Sequence, residues 1–433
     1  MPDPVTADDS ADAHPGADAP PDNRPRIWSP WRTVVGFGTV SLAADMVYEG
    51  ARSVYGPLLA SVGASALIVG AVTGAGEAAA LLLRLVSGSL ADRTRRYWTL
   101  TIAGYALTAV CVPLLAVTPF LGSAGLGVAA ALILAERIGK AVRSPAKSAL
   151  LADAASQVGM GRGLGVHKAL DQIGAFAGPL LVAALVAANT GALWPGLAAL
   201  AVPGAATMAL LVLTRRRTPQ PTDAPASPTP TGSGADHAER AGRRRTAAPR
   251  LPAPFLRFAI GTALCTAGLV TFGLISFHLI DRHLLPTAGV PVLYAAATAA
   301  GALAALATGE AYDRFGPRIL LTLPFLAAAV PALAFSTGLG AVVLGVLLWG
   351  SAVGVQDSTV KALVADLVPR DRRATAYGVF AGVQGAGALV GGIATGALYE
   401  QSPAALTGAV AAAEVLALLL LTAAIRHPAP KRR

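Results

Sequence analysis

The sequence predicts an all-α membrane protein, with twelve transmembrane helices arranged as two pseudo-symmetric six-helix bundles. Three observations predict it. The 433 residues are 54% hydrophobic and 13% charged, with mean hydropathy +0.59, whereas a soluble domain carries about 25% charged residues. Apolar runs of about 20 residues, enough to cross the hydrocarbon as helix, recur along the whole chain. Residues also repeat between the two halves at a spacing of 213 (364 − 151). Leu151-Ala152-Asp153 is answered by Val364-Ala365-Asp366, Gly165 by Gly378, Asp171 by Gln384, Gly174 by Gly387 and Gly178 by Gly391.

In order, the apolar runs are Thr33–Pro57, Ala64–Ser87, Tyr97–Thr118, Gly122–Val142, Leu164–Ala188 and Gly191–Leu213, then Phe255–Ile280, Val290–Gly309, Ile319–Phe335, Gly338–Val360, Thr375–Tyr399 and Pro403–Ile425. These divide the chain into a polar tail (1–31), a first bundle (32–213), a linker (214–252), a second bundle (253–426) and a basic tail (427–433). The N-terminal tail is rich in Asp, Ala and Pro and has no apolar core, so it reads as a disordered cytoplasmic segment and not a cleavable signal. Thr214–Pro252 has eight arginines against Asp223, Asp236 and Glu239 in a Pro/Ala/Thr/Ser/Gly background. Such a segment buries no core and reads as a disordered basic tether.

Lysine and arginine orient the bundle. Alternate turns carry Arg93, Arg95 and Arg96; Lys147 and Arg162; Arg314 and Arg318; Arg370, Arg372 and Arg373; and Lys431, Arg432 and Arg433. The opposite turns, near Ser61, Pro119, Thr190, Thr337 and Ser402, have neither residue, and Arg282 is the one exception. Both termini are therefore expected in the cytoplasm, with the chain multi-pass in the plasma membrane. The net charge of +10 then reflects topology, and no nucleic-acid partner is expected. Cys111 and Cys265 sit in different apolar runs and imply no disulfide or metal framework.

Charges inside apolar runs are costly and mark function. In the first run Asp45, Tyr48, Glu49 and Arg52 are spaced i, i+3, i+4 and i+7, one helical face. At 1.5 Å per residue Asp45 lies on the order of 18 Å from the start of the helix, near the bilayer middle. The second run adds Glu77 and Arg84, a structural pair on one reading. The fourth adds Glu136, Arg137, Lys140 and Arg143, and the fifth His167, Lys168 and Asp171. His167 with Asp171 either titrates or merely locks the turn before it. The second half is sparer: Asp357 and Lys361 at i, i+4, His278 and Asp281 at the outer end, and Glu414 alone. Its share of a central cavity is expected to be largely hydrophobic.

Two turns carry a shared pattern. Gly88-Ser89-Leu90-Ala91-Asp92-Arg93-Thr94-Arg95-Arg96 is echoed by Gly309-Glu310-Ala311-Tyr312-Asp313-Arg314-Phe315-Gly316-Pro317-Arg318. Each reads Gly, three residues, Asp-Arg, then Arg within four. The pattern resembles the loop between helices 2 and 3, and its echo between helices 8 and 9, of the major facilitator superfamily. Thr94 stands where members often have glycine. The resemblance implies a conformational gate at Gly88, Asp92, Arg93, Arg96, Gly309, Asp313 and Arg314. Gly174-x-x-x-Gly178-Pro179 resembles the fifth-helix signature of proton-coupled exporters, with Val182 and Ala183 in place of its closing glycines; tight helix packing explains the same residues. Arg137 resembles the buried fourth-helix arginine of proton-coupled members.

The expectation is a secondary transporter working by alternating access, with no enzymatic activity, no cofactor and no metal. Its partners are a small-molecule substrate, protons and the bilayer, and it acts as a monomer. Protonation of Asp45 or Glu49 would release a pairing with Arg137 or Arg52 and shift the conformational balance. Export of a small organic compound in exchange for protons is the first reading. Proton-linked uptake of an anionic nutrient or metabolite is the second, kept by Arg52, Arg137, Lys140 and Arg143. A membrane-embedded enzyme would need a nucleophile–base or metal-ligand set, which these spacings do not give.

Overall fold

The structure is a computed structural model that describes residues 28–218, 251–368 and 373–426. Residues 1–27 of the predicted tail, 219–250 of the linker, the basic turn 369–372 and the tail 427–433 lie outside the described residues.

The first half holds α1 (Pro30–Arg52), α2 (Tyr55–Ser61), α3 (Ala66–Thr94), α4 (Tyr97–Leu114), α5 (Gly125–Ser156), α6 (Met160–Ala188), α7 (Trp194–Ala199) and α8 (Ala201–Arg217). The second holds α9 (Ala253–Gly268), α10 (Phe272–Asp281), α11 (Gly289–Phe315), α12 (Thr322–Ala334), α13 (Leu339–Leu367), α14 (Arg373–Gln401) and α15 (Pro403–Arg426). No strand occurs among the described residues. α8 runs through Arg215, Arg216 and Arg217, at the start of the predicted linker. Three cations in a last helical turn complement its free carbonyls.

Local sequence fixes the ends. Ser29 caps α1, its hydroxyl accepting from the Arg32 amide, with Pro30 in the first turn, where its missing N–H costs nothing. Ser65 caps α3 in the same way through the Ile68 amide. The first predicted run breaks after Arg52 into α1 and α2, and the seventh breaks at Leu269–Thr271, where the Thr271 hydroxyl caps α10.

Among the described residues nine helical stretches are long and apolar enough to cross a membrane. One of them, Gly289–Ala334, is 46 residues long and contains two predicted runs, joined where Gly316 takes φ 66° at the end of α11. Pro30–Arg52 and Gly125–Ser156 stand apart from the nine; Asp45, Glu49 and Arg52 lie on the first, and Glu136, Arg137, Lys140 and Arg143 on the second.

The core divides with the chain. One cluster packs Phe255, Phe258, Phe272 and Trp349 in the second half. Two smaller ones, around Tyr55, Leu58 and Ile133 and around Phe37, Trp98 and Tyr105, fill the first. Within each half one crossing is backed by glycine. A Cβ on Gly174 or Gly178 of α6 would land on the Leu42 or Met46 carbonyl of α1. A Cβ on Gly387 or Gly391 of α14 would meet Ala263 or Ala267 of α9. The repeat therefore runs at 213 between α6 and α14 and at 221 between α1 and α9 (263 − 42; 267 − 46). The fifth-helix glycines thus lie at a backbone-to-backbone contact. Gly178→Leu is expected to cost about 1–3 kcal/mol, as overpacking of a close crossing does. Gly127→Leu, where no atom lies within 4 Å of the added Cβ, should leave the melting temperature of the purified protein unchanged. Equal melting of the two variants would show that the crossing tolerates side chains.

The halves meet through α3 against α14, α6 against α11, and α2 against α10. On α3 and α14 the contact runs through Gly70, Gly74 and Gly392. At the end bearing the Ser65 cap, the Glu400 carboxylate accepts from the Leu67 amide at 2.8 Å, so α14 satisfies a free donor at the start of α3. Close by, Thr73 and Thr271 join hydroxyls at 2.8 Å.

Candidate functional site

Between the halves lies a cavity of about 840 Å³. Its lining runs from Glu49, Arg52 and Trp349 in the interior to Gly165, Lys168 and Leu306, the last two strongly exposed. It therefore opens toward the end of the bundle that carries the basic turns. The contacts of α2 with α10 and of α3 with α14 close the other end. A smaller pocket of about 260 Å³ shares Arg52, Trp349, Val353 and Asp357 with it and reaches Thr266, Gln356 and Gln384.

The first wall comes from α1, α3 and α5. The i, i+4, i+7 spacing places Asp45, Glu49 and Arg52 along the cavity. Tyr48 lies behind them, fully buried. Arg52 donates to Glu77 at 2.7 Å and lies 3.9 Å from Glu49. Arg137, 3% exposed, lies 3.4 Å from Glu77 and 3.7 Å from Glu136 and donates to the Tyr48 hydroxyl. Glu136 is fully buried and also accepts from Thr108 at 3.5 Å. Buried charges survive only when paired, and two carboxylates with two guanidiniums meet that condition. Glu77 thus pairs with Arg52 and Arg137, and the alternative pairing with Arg84 is not made. Of the expected pairings between a carboxylate of α1 and an arginine, Glu49 lies 3.9 Å from Arg52, whereas neither Arg52 nor Arg137 makes a salt bridge with Asp45.

Asp45 instead faces Asp171. Their carboxyls approach each other across the α1–α6 crossing, both lining the cavity, at the level set by Gly174 and Gly178. Asp171 also accepts from Lys168 at 2.7 Å. His167 turns away from it, buried, with its Nε2 3.0 Å from the Ser41 hydroxyl, to which Lys147 also donates at 3.0 Å. The predicted His167–Asp171 lock is therefore replaced by two separate contacts. Lys140 places its ammonium 3.4 Å from the centre of the Tyr48 ring.

The second wall is less apolar than the sequence suggested. Gln356 donates to Thr266 at 2.6 Å, Thr266 donates to the Gln384 carbonyl, and Gln384 is 4% exposed with its amide nitrogen unpartnered. Tyr294 reaches across the halves to donate to Glu49. The Trp349 indole donates to the Val270 carbonyl at 3.0 Å. These residues were missed because they are uncharged. The repeat marks two of them: Asp171 maps to Gln384 (384 − 171 = 213), as the sequence pairs already had it, and Asp45 to Thr266 (266 − 45 = 221). One crossing in each half thus carries one polar pair.

The gate residues predicted from the two turns are not drawn into the cavity. Asp92, Arg93 and Arg96 are exposed, with the Tyr97 hydroxyl 3.3 Å from Asp92. Gly88 approaches Pro145. In the echo Asp313 is exposed and Arg314 pairs with Glu310 at 2.5 Å. The Lys361 side chain lies outside the described residues. No cluster suited to a metal ion occurs among the described residues.

The family model described as Major Facilitator Superfamily matches residues 37–285 and 282–433. Proteins of Mycobacterium bovis and Mycobacterium tuberculosis, described only as uncharacterised, are 51% identical over 408 residues, covering 94% of this chain and 95% of theirs. An MFS-type transporter of Methanocaldococcus jannaschii is 25% identical, over 85% of this chain and 88% of its own. Among solved structures, a peptide transporter of the POT type in complex with sulfate matches with TM-score 0.71 at 16% identity, over 92% of this chain and 95% of its own. The nucleoside transporter NupG matches with TM-score 0.63 at 15% identity, over 91% and 98%. At such identities the likeness is one of fold.

Proposed function

The chain belongs to the Major Facilitator Superfamily, and from that membership we propose a proton-coupled secondary transporter that exports a small organic compound in exchange for protons. The observation that carries the coupling is the Asp45–Asp171 pair inside the cavity. Two carboxyls so close in a buried cleft cannot both be ionised cheaply, so on this reading they take up and release one proton as a unit. Each member sits on a different helix, α1 and α6. Losing the shared proton sets like charges against each other across that crossing and biases it toward another arrangement. The groups facing the pair are Lys140 and Lys147 from α5 and Lys168 from α6. Lys168, 2.7 Å from Asp171, pairs with the remaining negative charge.

The described conformer fits the inward-facing half of an alternating-access cycle, with the cavity open to the cytoplasm and the outer contacts closed. The orientation follows from the basic turns. The experiment is flux in proteoliposomes. A compound that stabilises the protein in a thermal-shift screen at two pH values should move against its gradient when a pH gradient is imposed. Flux indifferent to the pH gradient would reduce the protein to a passive facilitator.

The exposed Asp92 and Arg93 are assigned to the opposite conformer, where they brace the closed cytoplasmic side. Asp92→Asn should leave insertion intact, reduce transport and enrich the inward-open form. Cysteine cross-linking between the cytoplasmic ends of α3 and α14 reads that population. Full transport at wild-type protein levels would remove the assignment.

A further inference from the structure

We propose that the compound this cavity accepts is an organic anion, held on α5 by Lys140 and Lys147. The inference rests on the transport reading above and adds the charge of the cargo. It follows from pairing off the ionisable groups that line the cavity. Arg52 is engaged by Glu77, and Lys168 by Asp171 at 2.7 Å. Glu49 is engaged by Arg52 and Tyr294. Asp45 is in contact with Asp171, so that pair carries one negative charge when it holds its proton, and Lys168 already faces it. Asp357 stands exposed. Lys140, Arg143 and Lys147 make no salt bridge among the described residues, and the lining as a whole is positive: five cations stand against four carboxylates, two of which share a proton.

These three lie on one face of α5, at i, i+3 and i+7. What each touches is neutral. The Lys140 ammonium lies over the Tyr48 ring at 3.4 Å, and Lys147 donates to Ser41 at 3.0 Å. Arg143 donates to Thr108 at 2.5 Å and stacks over Tyr105 at 4.5 Å. A ring face or a hydroxyl orients a cation without neutralising it. Arg143 is buried at 4% exposure and its guanidinium is taken, so it contributes field, while the two lysines are free to make contact. A lining with an excess of cations, three of them without an ion pair, in a cleft between low-dielectric walls creates a positive potential that draws a counter-charge. The opposite wall offers Tyr294, Trp349, Val353 and Thr298, a surface for a carbon skeleton. A volume of about 840 Å³ suits a small organic molecule and far exceeds the need of an inorganic ion.

The sign of this potential is measurable without knowing the cargo. Ser144 lines the cavity between Arg143 and Lys147, and both native cysteines are buried. The full-length Ser144→Cys protein in detergent is treated with an anionic and a cationic methanethiosulfonate, sulfonatoethyl and trimethylammonioethyl. Rates are normalised to those on a free thiol. The anionic reagent should be favoured by about tenfold, as a focused potential of several kT implies. Adding Lys140→Gln and Lys147→Gln should bring the ratio near unity, while Arg282→Gln, paired with Asp281 at the closed end, should leave it unchanged. A normalised ratio favouring the cationic reagent, or one unmoved by the lysine variants, would overturn the proposal. Because the ratio involves no proton transfer at Asp45 or Asp171, it can fail while coupling stands, and coupling can fail while it stands.

Discussion

Asp45→Asn and Asp171→Asn should each abolish accumulation driven by a pH gradient, by about a hundredfold or more, while exchange across the membrane without a gradient survives. The size follows from what is removed. An amide fixes the crossing in one protonation-like state, so the conformational balance no longer follows pH, and a shift of about 2.7 kcal/mol already changes a population a hundredfold. Asn and Asp have the same shape, so the α1–α6 crossing and its glycine contacts remain. Glu49→Gln serves as the comparison. Glu49 is held by Arg52 and Tyr294, and its variant should weaken transport without uncoupling it. Uncoupling by Glu49→Gln alone would move the proton site across the cavity.

Arg137→Met should have the largest effect on the fold itself. Removing one partner of a buried charge network costs about 3–5 kcal/mol, a large part of the 5–15 kcal/mol that holds a typical protein. The two carboxylates around Arg137 are not equally affected. Glu77 keeps Arg52 at 2.7 Å, whereas Glu136, fully buried, keeps only the Thr108 hydroxyl at 3.5 Å. Thermal unfolding should therefore fall steeply in Arg137→Met and recover when Glu136→Gln is added. Glu77→Gln should not rescue it. Rescue by Glu77→Gln in place of Glu136→Gln would show that the network is satisfied differently.

How much of this was legible in the sequence depends on whether charge carried the signal. The face Asp45, Glu49, Arg52 on α1 followed from helical periodicity, because an ionisable residue in an apolar run is hard to miss and its spacing fixes its neighbours. Which charge meets which did not follow. Arg137 and Arg52 turn to Glu77, and Asp45 to Asp171, because the partner depends on helix crossings that no single helix encodes. The information was nonetheless present in Gly174 and Gly178, which set the distance between α1 and α6 and so bring those two carboxyls together. Thr266, Gln356 and Gln384 escaped for the opposite reason. Neutral polar side chains in helices are common, and only the repeat at 213 and 221 marks Thr266 and Gln384. The breaks after Arg52 and at Leu269–Thr271 were not read either, since both lie inside continuous apolar runs. The Thr271 cap behind the second is a single hydroxyl.

The coupling pair is tested most directly by infrared difference spectroscopy of the purified protein in lipid bilayers, recorded as pH is varied. It needs no cargo. A protonated carboxyl in a hydrogen-bonded pair should give a carboxylic-acid C=O band that titrates as one proton, shifts in heavy water, and is lost in both Asp45→Asn and Asp171→Asn. Loss in both variants follows only if the two side chains hold one proton in common. A band that survives either substitution, or two bands each removed by one variant alone, would contradict the shared proton and with it the coupling site.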